Sequence, residues 1–209
     1  MNKFHKVITG LCMIVIFGLL LSGCKKTEAW QKWNMGQLSL DQDGQITYCV
    51  VESFGKNYYD LDELNGMAVK EVAEFNGKNH IGEGTPATVL EVGKLEENSG
   101  MVRVVWKFNC AESFAAFLGE SFYFETLEEA VEKKHVFTGS LLYQGNDSIA
   151  LDEVNKVKYR TKHVLVTDVK SVIHLPYEVL YYGPGVKVLK DGSIDTTGCE
   201  DAAVVILKK

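Results

Sequence analysis

The chain has 209 residues, with 22 basic and 28 acidic side chains and a formal charge of −6. An acidic balance with no basic stripe argues against nucleic acid as a partner, since that recognition needs clustered lysine and arginine. Apolar residues make up 46% of the chain, enough for one packed core or two small ones without metal or disulfide support.

Lys3 and Lys6 precede an almost unbroken apolar run from Val7 to Leu21. A spanning helix needs roughly 20 apolar residues, so this run suits a secretory leader better than a transmembrane segment. Leu21-Ser22-Gly23-Cys24 closes it and looks like a bacterial lipobox. That motif predicts a signal peptide over residues 1–23, cleavage before Cys24, and diacylation of the Cys24 thiol. Two acyl chains hold stably where one holds only marginally. The competing readings are an uncleaved anchor and an ordinary secreted protein. The leader holds two lysines and no acid, so the body behind it is more acidic than the whole.

Residues 24–37 read as a tether, with Lys25, Lys26 and Lys32 against Glu28. Trp30 and Trp33 would share a face if the tether became helical and could then sit in lipid headgroups, where tryptophan is favoured. The alternative is that both pack on the body. Residues 38–209 read as a single extracytoplasmic α+β domain, with a change of character near residue 135 where it could divide. Leu38 to Leu40 and Ile46 to Val51 alternate around Asp41-Gln-Asp-Gly44 and predict a hairpin. A helix is predicted over 60–75. Asp60 can cap it, Glu63 completes a capping-box-like pair, and Leu61, Leu64, Ala68, Val72 and Phe75 share one face. Asn76-Gly77 suits a left-handed stop.

Strands are predicted over 87–94 and 101–108. A short helix over 110–118 follows, with Asn109 as its cap and Gly119 as its stop. Thr126 and Glu129 signal another over 127–133. Beyond His135 the pattern is of short strands, over 136–142, 162–167, 171–175, 178–182, 186–189 and 202–207. Turn pieces such as Gly183-Pro-Gly185 separate them. With no helical pattern between them, antiparallel pairing is favoured over parallel crossovers. The fold class is therefore α+β, with an N-terminal hairpin and helices followed by a β-rich antiparallel C-terminal half.

The stretches Tyr59-Asp-Leu-Asp-Glu-Leu64, Glu71-Val-Ala-Glu-Phe-Asn76, Glu112-Ser-Phe-Ala-Ala-Phe117 and Glu125-Thr-Leu-Glu-Glu-Ala130 resemble a group of uncharacterised lipoproteins from Gram-positive bacteria. The order of elements is similar as well. The resemblance implies the lipid anchor and the fold class, and no catalytic residue.

Several reaction motifs fail on inspection. Ser22-Gly-Cys-Lys25 matches a serine-x-x-lysine pattern but straddles the cleavage site. Gly82-Glu-Gly-Thr-Pro-Ala87 matches a relaxed dinucleotide fingerprint, but a helix precedes it and a strand follows, the reverse of what a pyrophosphate needs. Asp41-Gln-Asp-Gly44 opens like a calcium loop with its glycine too early. His80, His135, His163 and His174 form no metal-ligand pair in sequence, though His163 and His174 fall in successive predicted strands and could meet across a sheet. Cys49, Cys110 and Cys199 are an odd, widely spaced set rather than a disulfide framework, and Cys49 and Cys110 read as small core residues. Glu125, Glu128, Glu129 and Glu132 read as a solvated helix face. Phe122, Tyr123, Phe124, Tyr177, Tyr181 and Tyr182 read as core and rim before they read as a sugar platform.

The expectation is a lipid-anchored, extracytoplasmic lipoprotein, non-catalytic, binding an envelope protein or glycan, with no cofactor and no metal. An envelope-acting hydrolase would need a cleft where a histidine and a carboxylate converge. A small solute-binding lipoprotein would need a deep pocket.

Overall fold

A computed structural model describes residues 28–96, 100–136, 141–154 and 159–208. The expected leader, Cys24 and most of the strand expected over 136–142 lie outside the described residues. The chain divides into two compact units, residues 1–32 and Trp33–Lys209. The described part of the first contains a 3-10 turn, Ala29–Lys32. The second unit mixes helix and strand, is rich in strand, and is built on two sheets, one wholly and one largely antiparallel.

The first sheet begins with the expected hairpin, β1 (Gln37–Leu40) and β2 (Ile46–Ser53). Asp41 Oδ1 accepts the backbone N–H groups of Asp43 and Gln45 at 3.0 and 2.8 Å, so its carboxylate closes the turn. Helix α1 (Leu61–Lys78) starts at Asp60, whose Oδ1 accepts the Glu63 N–H at 2.9 Å. It buries Ala68 and Val72 against the sheet. It does not stop at Asn76-Gly77. The Asn76 side chain is occupied elsewhere, donating to Ala87 O and accepting from Ala87 N, and it pins the start of β3 (Ala87–Lys94). The helix runs on to Lys78, with Asn79 as an extended C-cap.

β4 (Met101–Phe108) pairs with both β2 and β3. Helix α2 (Ala111–Leu118) follows, with Cys110 rather than Asn109 at its N-cap and Gly119 stopping it in the left-handed conformation at φ 72°. Asn109 Nδ2 instead donates to Ile81 O and Glu83 O, tying down the loop before β3. Phe122–Thr126 forms a further strand, β5, beyond those expected. Helix α3 (Leu127–Glu132) carries the full capping box of Thr126 and Glu129.

The later chain supplies β6 (Leu141–Gln144), β7 (Asp147–Ala150), a single helical turn α4 (Leu151–Val154), β8 (His163–Thr167), β9 (Val172–His174), β10 (Glu178–Tyr182), β11 (Lys187–Val188), β12 (Ile194–Asp195) and β13 (Ala203–Lys208). They do not stay together. The seven-stranded sheet runs β11-β12-β9-β1-β2-β4-β3, and the six-stranded sheet runs β5-β8-β13-β10-β6-β7. β9 joins β1 in parallel, the one exception to antiparallel pairing among the described strands. Between β8 and β9 the chain changes sheets. Buried Thr196 holds that crossing: its hydroxyl accepts the Ser171 N–H at 2.9 Å and donates to Val169 O at 2.7 Å. At the Gly183-Pro-Gly185 turn, a Cβ on Gly185 would lie 2.7 Å from Cys199 Cα at a φ of +81°. Only glycine fits there.

The main core joins both sheets. Leu38, Ile46, Phe108 and Ile173 from the first meet Phe122, Leu165, Val205 and Leu207 from the second, with Phe114 of α2 among them. A smaller core lies on the other side of the second sheet, where Leu127 and Ala130 of α3 cover Val164, Val166 and Ile206. β8 and β13 are thus apolar on both faces, which is why Val164-Leu-Val166 and Ala203-Val-Val-Ile-Leu207 run without alternation.

Candidate functional site

β5 is the edge of the second sheet. Along it runs a groove of about 780 Å³, bounded by the β1–β2 turn, the start of α2 and the end of α3. Strand geometry sends alternate side chains of β5 to opposite faces. Phe122 and Phe124 face the main core, while Tyr123 packs with the smaller one. Glu125 follows Tyr123 by two residues and shares its side.

The chain then turns through α3 and returns. Lys134, at φ 61°, makes the reversal after the helix, and the His135 N–H bonds Ala130 O at 2.8 Å. This return places His135 on Tyr123, with ring centroids 3.6 Å apart and planes 12° from parallel. His135 Nδ1 lies 2.5 Å from Glu125 Oε1, and Lys133 Nζ donates to Glu125 Oε2 at 2.7 Å. The Glu125 side chain is only 10% exposed, so a largely buried carboxylate has a partner on each oxygen, as such a group needs. Donating to Glu125 raises the Lys133 pKa above the usual lysine value. Thr126 donates its N–H and its hydroxyl to Glu129, and these bonds lower the Glu129 pKa.

His163, at the start of β8 and opposite Thr126 in the ladder, also lines the groove and sits by Phe124, centroids 5.0 Å apart, and by Tyr177 at 5.7 Å. Cys110 also lines the groove and is half-buried, its Sγ 3.5 Å from Ser113 Oγ. Asp43, Glu112, Glu125 and Glu129 outnumber Lys133 among the charged lining residues. The groove therefore offers acceptors and ring faces, a combination suited to a ligand rich in hydroxyl or amine donors.

Several expectations change here. Glu125 is not on a solvated helix face; it belongs to β5 and is engaged twice. Glu128, Glu129 and Glu132 do lie on the outer face of the helix as expected, Glu129 as its cap and Glu128 in a surface pair with Arg160 at 3.5 Å. His163 and His174 do not meet, because β8 and β9 lie in different sheets. His174 instead stacks on Trp33 and places Nε2 3.0 Å from Gln37 Oε1. Trp33 is buried there and its carbonyl accepts from Arg103, so this tryptophan packs on the body rather than reading lipid. Cys49 and Cys199 are buried, whereas Cys110 belongs to the groove; all three are free thiols. His80 is exposed in the loop after α1. Tyr181 pairs with Tyr159, and Tyr182 with Tyr143, away from the groove. No cluster of metal-ligating side chains occurs among the described residues.

The Glu125, Lys133 and His135 cluster was missed because its members converge only after a strand, a helix and a reversal. The aromatic run Phe122-Tyr-Phe124, rich in strand-favouring residues, was the signal that could have revealed β5. No protein-family model matches the chain, and neither a curated protein nor a solved structure matches it.

Proposed function

We propose that this protein is a lipid-anchored, extracytoplasmic binding module that holds an envelope glycan in the groove along β5. The lipobox at Leu21-Ser-Gly-Cys24 supports the anchor. The groove of about 780 Å³, where the Tyr123–His135 stack stands beside the Glu125 and Glu129 carboxylates, is the observation that carries the ligand class. Sugars present apolar ring faces to aromatics and hydroxyl donors to carboxylates. Glu125 orients His135, and Lys133 balances Glu125, so the wall is preformed before any ligand arrives.

Two experiments test this reading. Cys24→Ala should abolish fatty-acid labelling and release the chain from the membrane fraction; unchanged labelling would sink the anchor. Soluble cell-wall glycan fragments, titrated into isotope-labelled protein, should shift the amide resonances of Tyr123, Glu125 and His135 saturably, and Tyr123→Ala should remove that response. Shifts that ignore this substitution would move the ligand elsewhere.

A hydrolase is the second reading, favoured by one observation. A carboxylate on His135 Nδ1 fixes the ring, as a general base requires, and Cys110 shares the groove. Release of cleaved glycan or peptide that depends on His135 would favour the enzyme; binding without turnover favours the module.

A further inference from the structure

The seven-stranded sheet carries a second groove, on the face that α1 crosses. α1 lies over β3, and beside it, above β2 and β4, the groove encloses about 560 Å³. Val50, Val102, Val104 and Trp106 line it from the strands, and Phe54, Tyr58 and Tyr59 add an aromatic wall. Phe54 stacks on Tyr59 with centroids 4.9 Å apart, and Tyr58 meets Tyr59 edge-on at the same distance. Tyr58 and Met67 are 67% and 62% exposed. Scattered apolar residues on a surface are ordinary, but several gathered on one groove mark an interaction site.

The α1 wall is formed by Asp60, Glu63, Leu64, Met67, Ala68 and Glu71. Their steps of three, one, three, one and three trace one face over three turns, roughly 17 Å of helix at 1.5 Å per residue. Carboxylates stand at both ends of this wall, and Glu52 adds one from β2. Among the described residues no lysine or arginine lines the groove; nearby Lys56 sits over the Tyr58 ring, 5.6 Å from its centroid.

We propose that this groove docks a basic amphipathic helix of a partner protein, a site separate from the glycan groove and independent of it. An incoming helix would lay an apolar stripe at i, i+3, i+4 and i+7 on Val50, Val104, Met67 and the tyrosines. Lysines or arginines flanking that stripe meet Glu63, Glu71 and Glu52. A second copy of this chain would set carboxylate against carboxylate. An acyl chain would use the apolar lining and leave the exposed carboxylates Glu52, Glu63 and Glu71 unused, whereas a basic amphipathic helix engages both.

The test uses the full chain in nanodiscs of zwitterionic lipid, with empty discs as reference. The probe is a fluorescein-labelled leucine–lysine peptide of amphipathic helical spacing. Anisotropy should show saturable binding above the empty discs, weaker at high salt because the contacts are partly exposed ion pairs. Met67→Glu, at an exposed position, should weaken binding about tenfold or more, as loss of a central contact does. The pair Glu63→Lys with Glu71→Lys should do the same, and circular dichroism of each variant should match the parent. Equal binding of a leucine–glutamate peptide would overturn the proposal. So would an unchanged affinity in Met67→Glu. Self-association of the chain that Met67→Glu dissolves would give the groove to a second copy, and photocrosslinking from position 67 into lipid would give it to an acyl chain; either result also overturns it.

Discussion

Cys49 lies fully buried in β2 opposite Val105 of β4. Burial pushes its thiol from 9.0 up to about 11, while the nearby Arg103 guanidinium pulls the other way. Between those two values the folded chain keeps a proton that the unfolded chain has released. Stability from this group is therefore fully present below pH 9 and declines as pH rises towards 11. Tyr48 is also raised, chiefly by burial, so both groups steepen the alkaline loss. Denaturant midpoints across that window should fall more steeply for the parent than for Cys49→Ala; parallel profiles would reject the account. Cys49 as a core residue was legible from the sequence, since free cysteines are commonly buried. The partners of His135 and His174 were not, because each depends on residues brought together by the fold. Gln37 and Asp191 approach His174 from distant parts of the chain, with Asp191 Oδ2 at 4.0 Å from its Nδ1.

Helix starts are local events, and two of them were readable here. Asp60 and Thr126 each accept the N–H three residues on, an arrangement that needs only the spacing of four consecutive residues. Asp60→Ala should destabilise the body by about 0.5–2 kcal/mol, the ordinary cost of losing an N-cap acceptor. A shift in urea midpoint measures it, and an unmoved midpoint would mean that water replaces the cap without loss. Asparagines were less readable, because the same side chain serves caps and tertiary contacts alike. Asn76 and Asn109 were expected to stop one helix and start another, yet both bond backbone groups across loops. Asn76→Ala leaves both the N–H and the carbonyl of Ala87 without that partner. It should cost about 1–3 kcal/mol, the penalty for orphaned buried polar groups, measured in the same way. A loss no larger than a surface substitution gives would show that the strand end rearranges.

The two sheets do not correspond to the two halves of the chain. β5 belongs with strands from the later half, and β9, β11 and β12 return to the sheet that the hairpin begins. Apolar runs reveal strands because periodicity is local, but they do not state which sheet a strand joins. Leu165 illustrates the consequence, since it sits in the core shared by both sheets. Leu165→Ala should cost about 2–5 kcal/mol. Fluorescence from Trp33 and Trp106 should lose signal together with far-ultraviolet circular dichroism, because one core serves both layers. Separate transitions would argue for two independent bodies. The placement of β1 also has a mechanical consequence. A pull transmitted from the residues before Trp33 enters the body through β1, and β1 is not at an edge: β2 grips it on one side and β9, from far along the chain, on the other. Where that pull runs along β1, the bonds of both ladders lie across it. They are loaded together in shear instead of opening one at a time, so an anchor on the N-terminal side would tug on the strand best placed to resist extraction.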